Sequence, residues 1–76
     1  MIKIYEFLTM EADARYITVW DDGVHLDTYV TQTLVCQLYS LGDFFVEIQY
    51  DPNTNEIIGN LPFKHGEHLE KYLPEL

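Results

Sequence analysis

Lysine and arginine are scarce in this chain of 76 residues, where four of them stand against 13 aspartates and glutamates and give a formal net charge of −9. Because phosphate groups are bound by Lys and Arg, this composition argues against a nucleic-acid partner, and an anionic membrane surface would repel the chain. A basic protein partner is compatible with the charge. So is the plainer explanation that the negative charge keeps a small domain in solution.

Cysteine and long apolar runs are scarce as well. The single cysteine, Cys36, excludes an internal disulfide, and we expect it to be a buried, small apolar residue in a reducing compartment. No apolar run approaches the length of a membrane span, and Glu6 interrupts the first residues where a signal peptide needs an apolar core. We therefore predict a cytoplasmic protein, and a chain this short forms a single domain.

Catalytic motifs are missing too. The sequence has no Gly-rich phosphate loop, no serine with a histidine partner in a motif, and no acid pair that spacing brings together, so we predict no enzymatic activity and no cofactor. Ligand-type residues cluster only in H-G-E-H, where His65 and His68 are three positions apart and distant His25 is a third candidate. A metal or small-ligand site at these histidines is the alternative hypothesis.

What the sequence does contain is a set of strand and turn signals. Residues 33–63 predict three strands separated by two turns, and the middle strand alternates apolar and polar side chains, which is typical of a strand with one apolar face. Residues 1–8 predict a further strand, whereas residues 24–31 have a weaker strand signal that also suits a loop.

Two helices complete the predicted fold. One follows Thr9 and ends at Gly23, with Tyr16 and Trp20 as the pair best placed to pack on the sheet, and a short one covers residues 67–73. The prediction is an α+β fold: a single small domain, residues 1–76, with an antiparallel sheet of four to five strands and both helices packed on one face.

The turns set the strand register. A two-residue Gly42-Asp43 loop would pair Leu41 with Phe44, whereas a three-residue loop would pair Ser40 with Phe44. The longer loop is favoured because it would bury the Leu-Cys-Leu row of the preceding strand and leave its glutamine in water. In the next turn Asn55 tolerates positive φ, and a four-residue loop over residues 52–55 would pair Tyr50 with Ile57.

In this register the back of the sheet has no helix over it. We predict an interaction surface there, because exposed aromatic and apolar patches among polar groups are typical of protein interfaces. Its members are Val35, Tyr39, Phe45, Glu47, Ile58 and Pro62. The expected function is that of a small protein-interaction module, either a homodimer, since most oligomers are symmetric dimers, or a protein of the inhibitor, antitoxin, immunity or adaptor type.

Several short runs also carry a resemblance. They are G-V-x-L from Gly23, L-Y at Leu38, F-x-V-E ending at Glu47, Y-D at Tyr50, Phe63, and L-x-x-Y-L from Leu69. Together they resemble a group of small uncharacterised bacterial α+β proteins. The resemblance implies the same fold and a bacterial source, and it implies no activity, cofactor or site residue.

Overall fold

The computed structural model describes residues 2–64 and 66–72. The elements are the helices α1 (Ile4–Leu8) and α2 (Ala12–Asp22), the strands β1 (Val24–Val30), β2 (Val35–Leu41), β3 (Phe44–Tyr50) and β4 (Ile57–Phe63), and the short helix α3 (Glu67–Glu70). The strands form one antiparallel sheet in the order β1-β2-β3-β4. The α+β class, the four-stranded sheet, an N-terminal helix and a short C-terminal helix are thus confirmed. Within these residues no helix is long and apolar enough to cross a membrane.

The prediction of a strand at residues 1–8 is wrong, because Ile4–Leu8 form a helix. The run is apolar without a clean alternation, and β-propensity alone does not provide a neighbouring strand to pair with. As a short helix it buries Phe7 fully, with the Phe7 and Phe44 ring centroids 5.5 Å apart. Thr9 ends the helix by donating its hydroxyl to the Glu6 carbonyl at 2.7 Å.

The turn between β2 and β3 is the two-residue Gly42-Asp43 loop, so Leu41 pairs with Phe44 and the preferred three-residue loop is wrong. Gly42 has a φ of 65°, which a type II′ turn requires at its first central position and which glycine adopts without steric cost. A one-residue change of register moves every β2 side chain to the other face. Val35 and Tyr39 therefore share a face with Val46, and Cys36 and Leu38 lie on the opposite one.

The turn between β3 and β4 behaves as predicted at its start. Asn55 has a φ of 61°, and Tyr50 pairs with Ile57. A bulge at Ile58 then adds one residue to β4, so that Ile48 lies opposite Asn60 and not opposite the preceding glycine. β4 is an edge strand, which agrees with the presence of a proline in it.

Helices cover both faces of the sheet, which corrects the placement of both on one face. On what we call the α2 face, Phe7 of α1 and Val19 of α2 pack against the buried strand residues Leu41, Phe44, Val46 and Ile48. On the α3 face, α3 and the residues after it pack over Cys36, Leu38 and Phe63, with Tyr72 fully buried. The physical reason is that β2 and β3 carry apolar residues at both odd and even positions, so each face needs a cover.

Replacing Gly42 with alanine tests the β2–β3 turn. We expect Gly42→Ala to lower the free energy of unfolding by about 1–2 kcal/mol, because a Cβ is strained at positive φ. Gly59→Ala is the matched control, since a Cβ there would meet Gln49 Oε1 at 3.6 Å, an ordinary contact. Urea denaturation measures both variants. Equal losses at the two positions would contradict the conformation assigned to Gly42.

Candidate functional site

The six residues of the predicted interaction surface do not form one surface. Phe45 and Glu47 lie on the α3 face, Val35, Tyr39 and Pro62 lie on the α2 face, and Ile58 is the exposed residue of the β4 bulge. The cause is the shorter β2–β3 turn together with the bulge, each of which shifts one strand by one residue relative to the prediction. The two faces therefore have to be considered separately.

Glu47 is the centre of the α3 face, where its side chain is only 1% exposed. Its Oε1 accepts a hydrogen bond from Tyr72 Oη at 2.7 Å and forms an ion pair with Lys71 Nζ at 2.5 Å. Its Oε2 accepts from Gln49 Nε2 at 2.7 Å. Lys71 Nζ also lies 3.7 Å from Cys36 Sγ and 5.1 Å from the centre of the Tyr29 ring. Both carboxylate oxygens of this buried charge are thus satisfied.

These contacts shift the acid–base behaviour of the network. Burial alone would raise the pKa of Glu47, but the hydrogen bonds from Lys71, Tyr72 and Gln49 outweigh it and hold that pKa below its ordinary value. Burial would likewise lower the pKa of Lys71, yet its bond to Glu47 raises it. Burial and the neighbouring charge of Glu47 raise the pKa of the Cys36 thiol, so Cys36 stays protonated and inert.

These contacts hold α3 against the sheet. Two of its members follow α3 directly, and the acceptor is in the central strand β3, so the network joins the chain's last described turn to the middle of the sheet. Reactive chemistry would need an accessible acid or thiolate, and neither is present here. One sequence signal pointed to this network: Glu47 is the only charged residue in the strand Phe44–Tyr50.

Removing the charge of Glu47 should weaken its contacts with Lys71 and Tyr72. We expect Glu47→Gln to lower the free energy of unfolding by about 2 kcal/mol, because hydrogen bonds to a buried charged group are among the stronger ones. Glu70→Gln, on the exposed side of α3, should change it by no more than about 0.5 kcal/mol. Urea denaturation of the two variants gives the comparison, and equal effects would contradict the role assigned to Glu47.

The same network predicts how stability depends on pH. Because the pKa of Glu47 is lower in the folded chain than its ordinary value of 4.5, its contribution is complete above that value and is lost as the pH falls through the folded pKa. The stability difference between wild type and Glu47→Gln should therefore shrink as the pH falls from about 5 to about 3. The other carboxylates titrate in both proteins, so their contribution to the pH dependence cancels in this difference. A difference that stays constant over this range would contradict the prediction.

His25 and His68, the two candidate histidines among the described residues, lie on opposite faces of the sheet. His25 lies on the α2 face, where its Nε2 is 2.6 Å from Gln37 Oε1 and its ring centre is 5.3 Å from that of Tyr39. His68 is beside Phe63, which packs on the α3 face, with ring centres 5.6 Å apart. His65 lies outside the described residues. Over residues 2–64 and 66–72 no three metal-ligating side chains come together, and the alternative hypothesis, which includes His65, stays a prediction.

On the α2 face, α2 covers the sheet incompletely. Val19 is fully buried, and Arg15 ties the helix to β4 by donating to Asn60 Oδ1 at 3.0 Å. Trp20 projects about 100° around the helix axis from Val19. It is therefore 50% exposed, although it was expected to pack on the sheet. Its ring lies 5.5 Å from that of Tyr16, which is half-buried.

The sheet has a further row of partly exposed apolar residues on this face. Val30, Val35, Tyr50 and Ile57 are successive cross-strand neighbours in the row farthest from the Gly42 turn. None of them is buried, and Val30 is 64% exposed. We call the surface formed by Tyr16, Trp20, Val30, Val35, Tyr39 and Tyr50 the aromatic patch. Two of the residues predicted for an interface, Val35 and Tyr39, belong to it.

The chain matches no protein-family model, no curated protein and no solved structure. The resemblance to small bacterial proteins therefore stays a prediction. Any function has to be argued from the two faces of the sheet, of which the α3 face is covered at its centre by α3 and the Glu47 network.

Proposed function

We propose that the protein is a cytoplasmic protein-interaction module that binds a protein partner through the aromatic patch. The observation that carries the proposal is the position of Trp20, the only tryptophan in the chain, which is half exposed with its ring 5.5 Å from that of Tyr16. Tyr39 and Tyr50 are partly buried on the same face of the sheet. Tryptophan and tyrosine are enriched where protein interfaces have most of their binding energy. A rigid sheet and helix hold these side chains in place before binding, which lowers the entropy cost of association.

The other surfaces are less suited to a partner. The centre of the α3 face is covered by α3 and the Glu47 network. The β4 edge contains Pro62, which has no N–H to offer a further strand, and a bulge. The β1 edge is bulged at Leu26, and Asp27 Oδ1 accepts the Thr28 N–H at 2.8 Å, so this donor is already used. Addition of a strand at either edge is therefore disfavoured, and the half-open α2 face is the better candidate.

The exposed valines at the two ends of β1 provide a matched test. Val30 lies in the aromatic patch row and is 64% exposed, whereas Val24 pairs with Ser40 on the other face and is 62% exposed. We expect Val30→Glu to reduce the amount of partner captured from native cells about tenfold or more, because a carboxylate buried in an apolar contact costs binding energy. Val24→Glu should leave the amount unchanged.

Quantitative mass spectrometry of the captured proteins measures the effect, and sedimentation of each purified variant reports a second copy as the partner. Both variants should keep wild-type stability to within about 0.5 kcal/mol, since both sites are exposed. If the two substitutions reduce the capture of the same proteins to the same extent, or if neither reduces the capture of any protein, the proposed function is wrong.

A further inference from the structure

We infer that the partner is a basic segment, with lysine or arginine side chains around an apolar centre, and that exposed carboxylates beside the aromatic patch select it. This inference rests on the proposed function and adds the chemistry of the partner. It starts from the outer surface of α2, where Ile17 is 60% exposed next to Trp20. Asp13 and Asp21 lie four positions before and after Ile17, and on a helix such positions are neighbours.

A second acidic group stands at the other end of the patch. Glu56 is exposed and directly precedes Ile57, which pairs with Tyr50 of the patch. The apolar surface therefore has carboxylates on its helix side and on its turn side. An apolar centre with charged groups at the rim is the usual arrangement of a protein interface, in which the rim charges choose the partner.

We call the three carboxylates Asp13, Asp21 and Glu56 the acidic rim. The protein's own cations do not neutralise it. Arg15 is engaged with Asn60 Oδ1 and with backbone carbonyls, and its guanidinium lies over the Phe7 ring. Lys71 is paired with Glu47 on the α3 face, and Lys64 is paired with Asp43. The fourth cation, Lys3, stands before α1. Between residues 2 and 64 and over 66–72, Asp13, Asp21 and Glu56 thus have no ion-pair partner.

The charge also argues against a second copy at this surface. Two copies would bring together chains of formal charge −9 each, with the same carboxylates at the contact. Like charges at an interface oppose association, whereas a cationic partner gains their attraction. Charge complementarity therefore selects a basic occupant.

Trp20 supplies the signal for a direct test. The probes are two synthetic amphipathic peptides without tryptophan, one of leucine and lysine and the other of leucine and glutamate in the same pattern. Fluorescence of Trp20, the only tryptophan, reports binding at the patch itself. We expect the leucine–lysine peptide to shift the emission to shorter wavelength, with an affinity that falls as salt is added, and the leucine–glutamate peptide to have no effect.

Two double variants separate rim recognition from overall charge, since each removes two carboxylates. Asp13→Asn/Asp21→Asn removes charges beside the patch, whereas Asp43→Asn/Glu70→Gln removes exposed charges away from it. The first should weaken binding of the leucine–lysine peptide about fivefold, and the second less than about twofold. Circular dichroism checks that both variants are folded.

Equal weakening in the two double variants, equal binding of the two peptides, or no binding of the leucine–lysine peptide would each overturn the inference of a basic partner. None of these results bears on whether the patch binds a protein at all. That question is decided by the comparison of Val30→Glu with Val24→Glu, so the two ideas can fail separately.

Discussion

The bond network around Glu47 is the constraint on which the rest of the structure depends. A carboxylate in the middle of a central strand has to be matched by donors, because an unpaired buried charge is strongly destabilising. The donors come from Lys71 and Tyr72 at the far end of the described chain, and from Gln49 on the same strand. Satisfying Glu47 therefore brings α3 onto the sheet and gives the α3 face its cover. Most of this cover is apolar, with Tyr72 packed over Cys36 and Leu38.

The α2 face is covered less completely than the centre of the α3 face. α2 has 11 residues, and its buried Val19 packs with sheet residues near the Gly42 turn. A helix rises about 1.5 Å per residue, so one of this length spans about 16 Å and does not cover a four-stranded sheet from end to end. The row from Val30 to Ile57 remains partly exposed. The half-open patch is thus a direct consequence of helix length and of the position of Val19.

The sequence predicted the class of fold better than the faces. Strand alternation and the Asn55 turn depend on local chemistry, and these were right. The face of each side chain depends on single-residue choices, the length of the Gly42 turn and the bulge at Ile58, whose alternatives differ little in local energy. Tertiary packing decided them. For the same reason Glu47 was assigned to an exposed interaction surface, since its partners Lys71 and Tyr72 are remote in the sequence and no periodicity links them.

The negative charge beside the patch follows from the scarcity of lysine and arginine in the chain. Three of the four lysines and arginines are used inside the fold or in pairs, Arg15 between α2 and β4, Lys71 at Glu47, and Lys64 at Asp43. The carboxylates outnumber them, so most remain exposed and give the surface its charge. Solubility alone would be served by carboxylates anywhere on that surface. Solubility does not require that carboxylates lie beside exposed Trp20 and Ile17. This position is what the inference of a basic partner rests on.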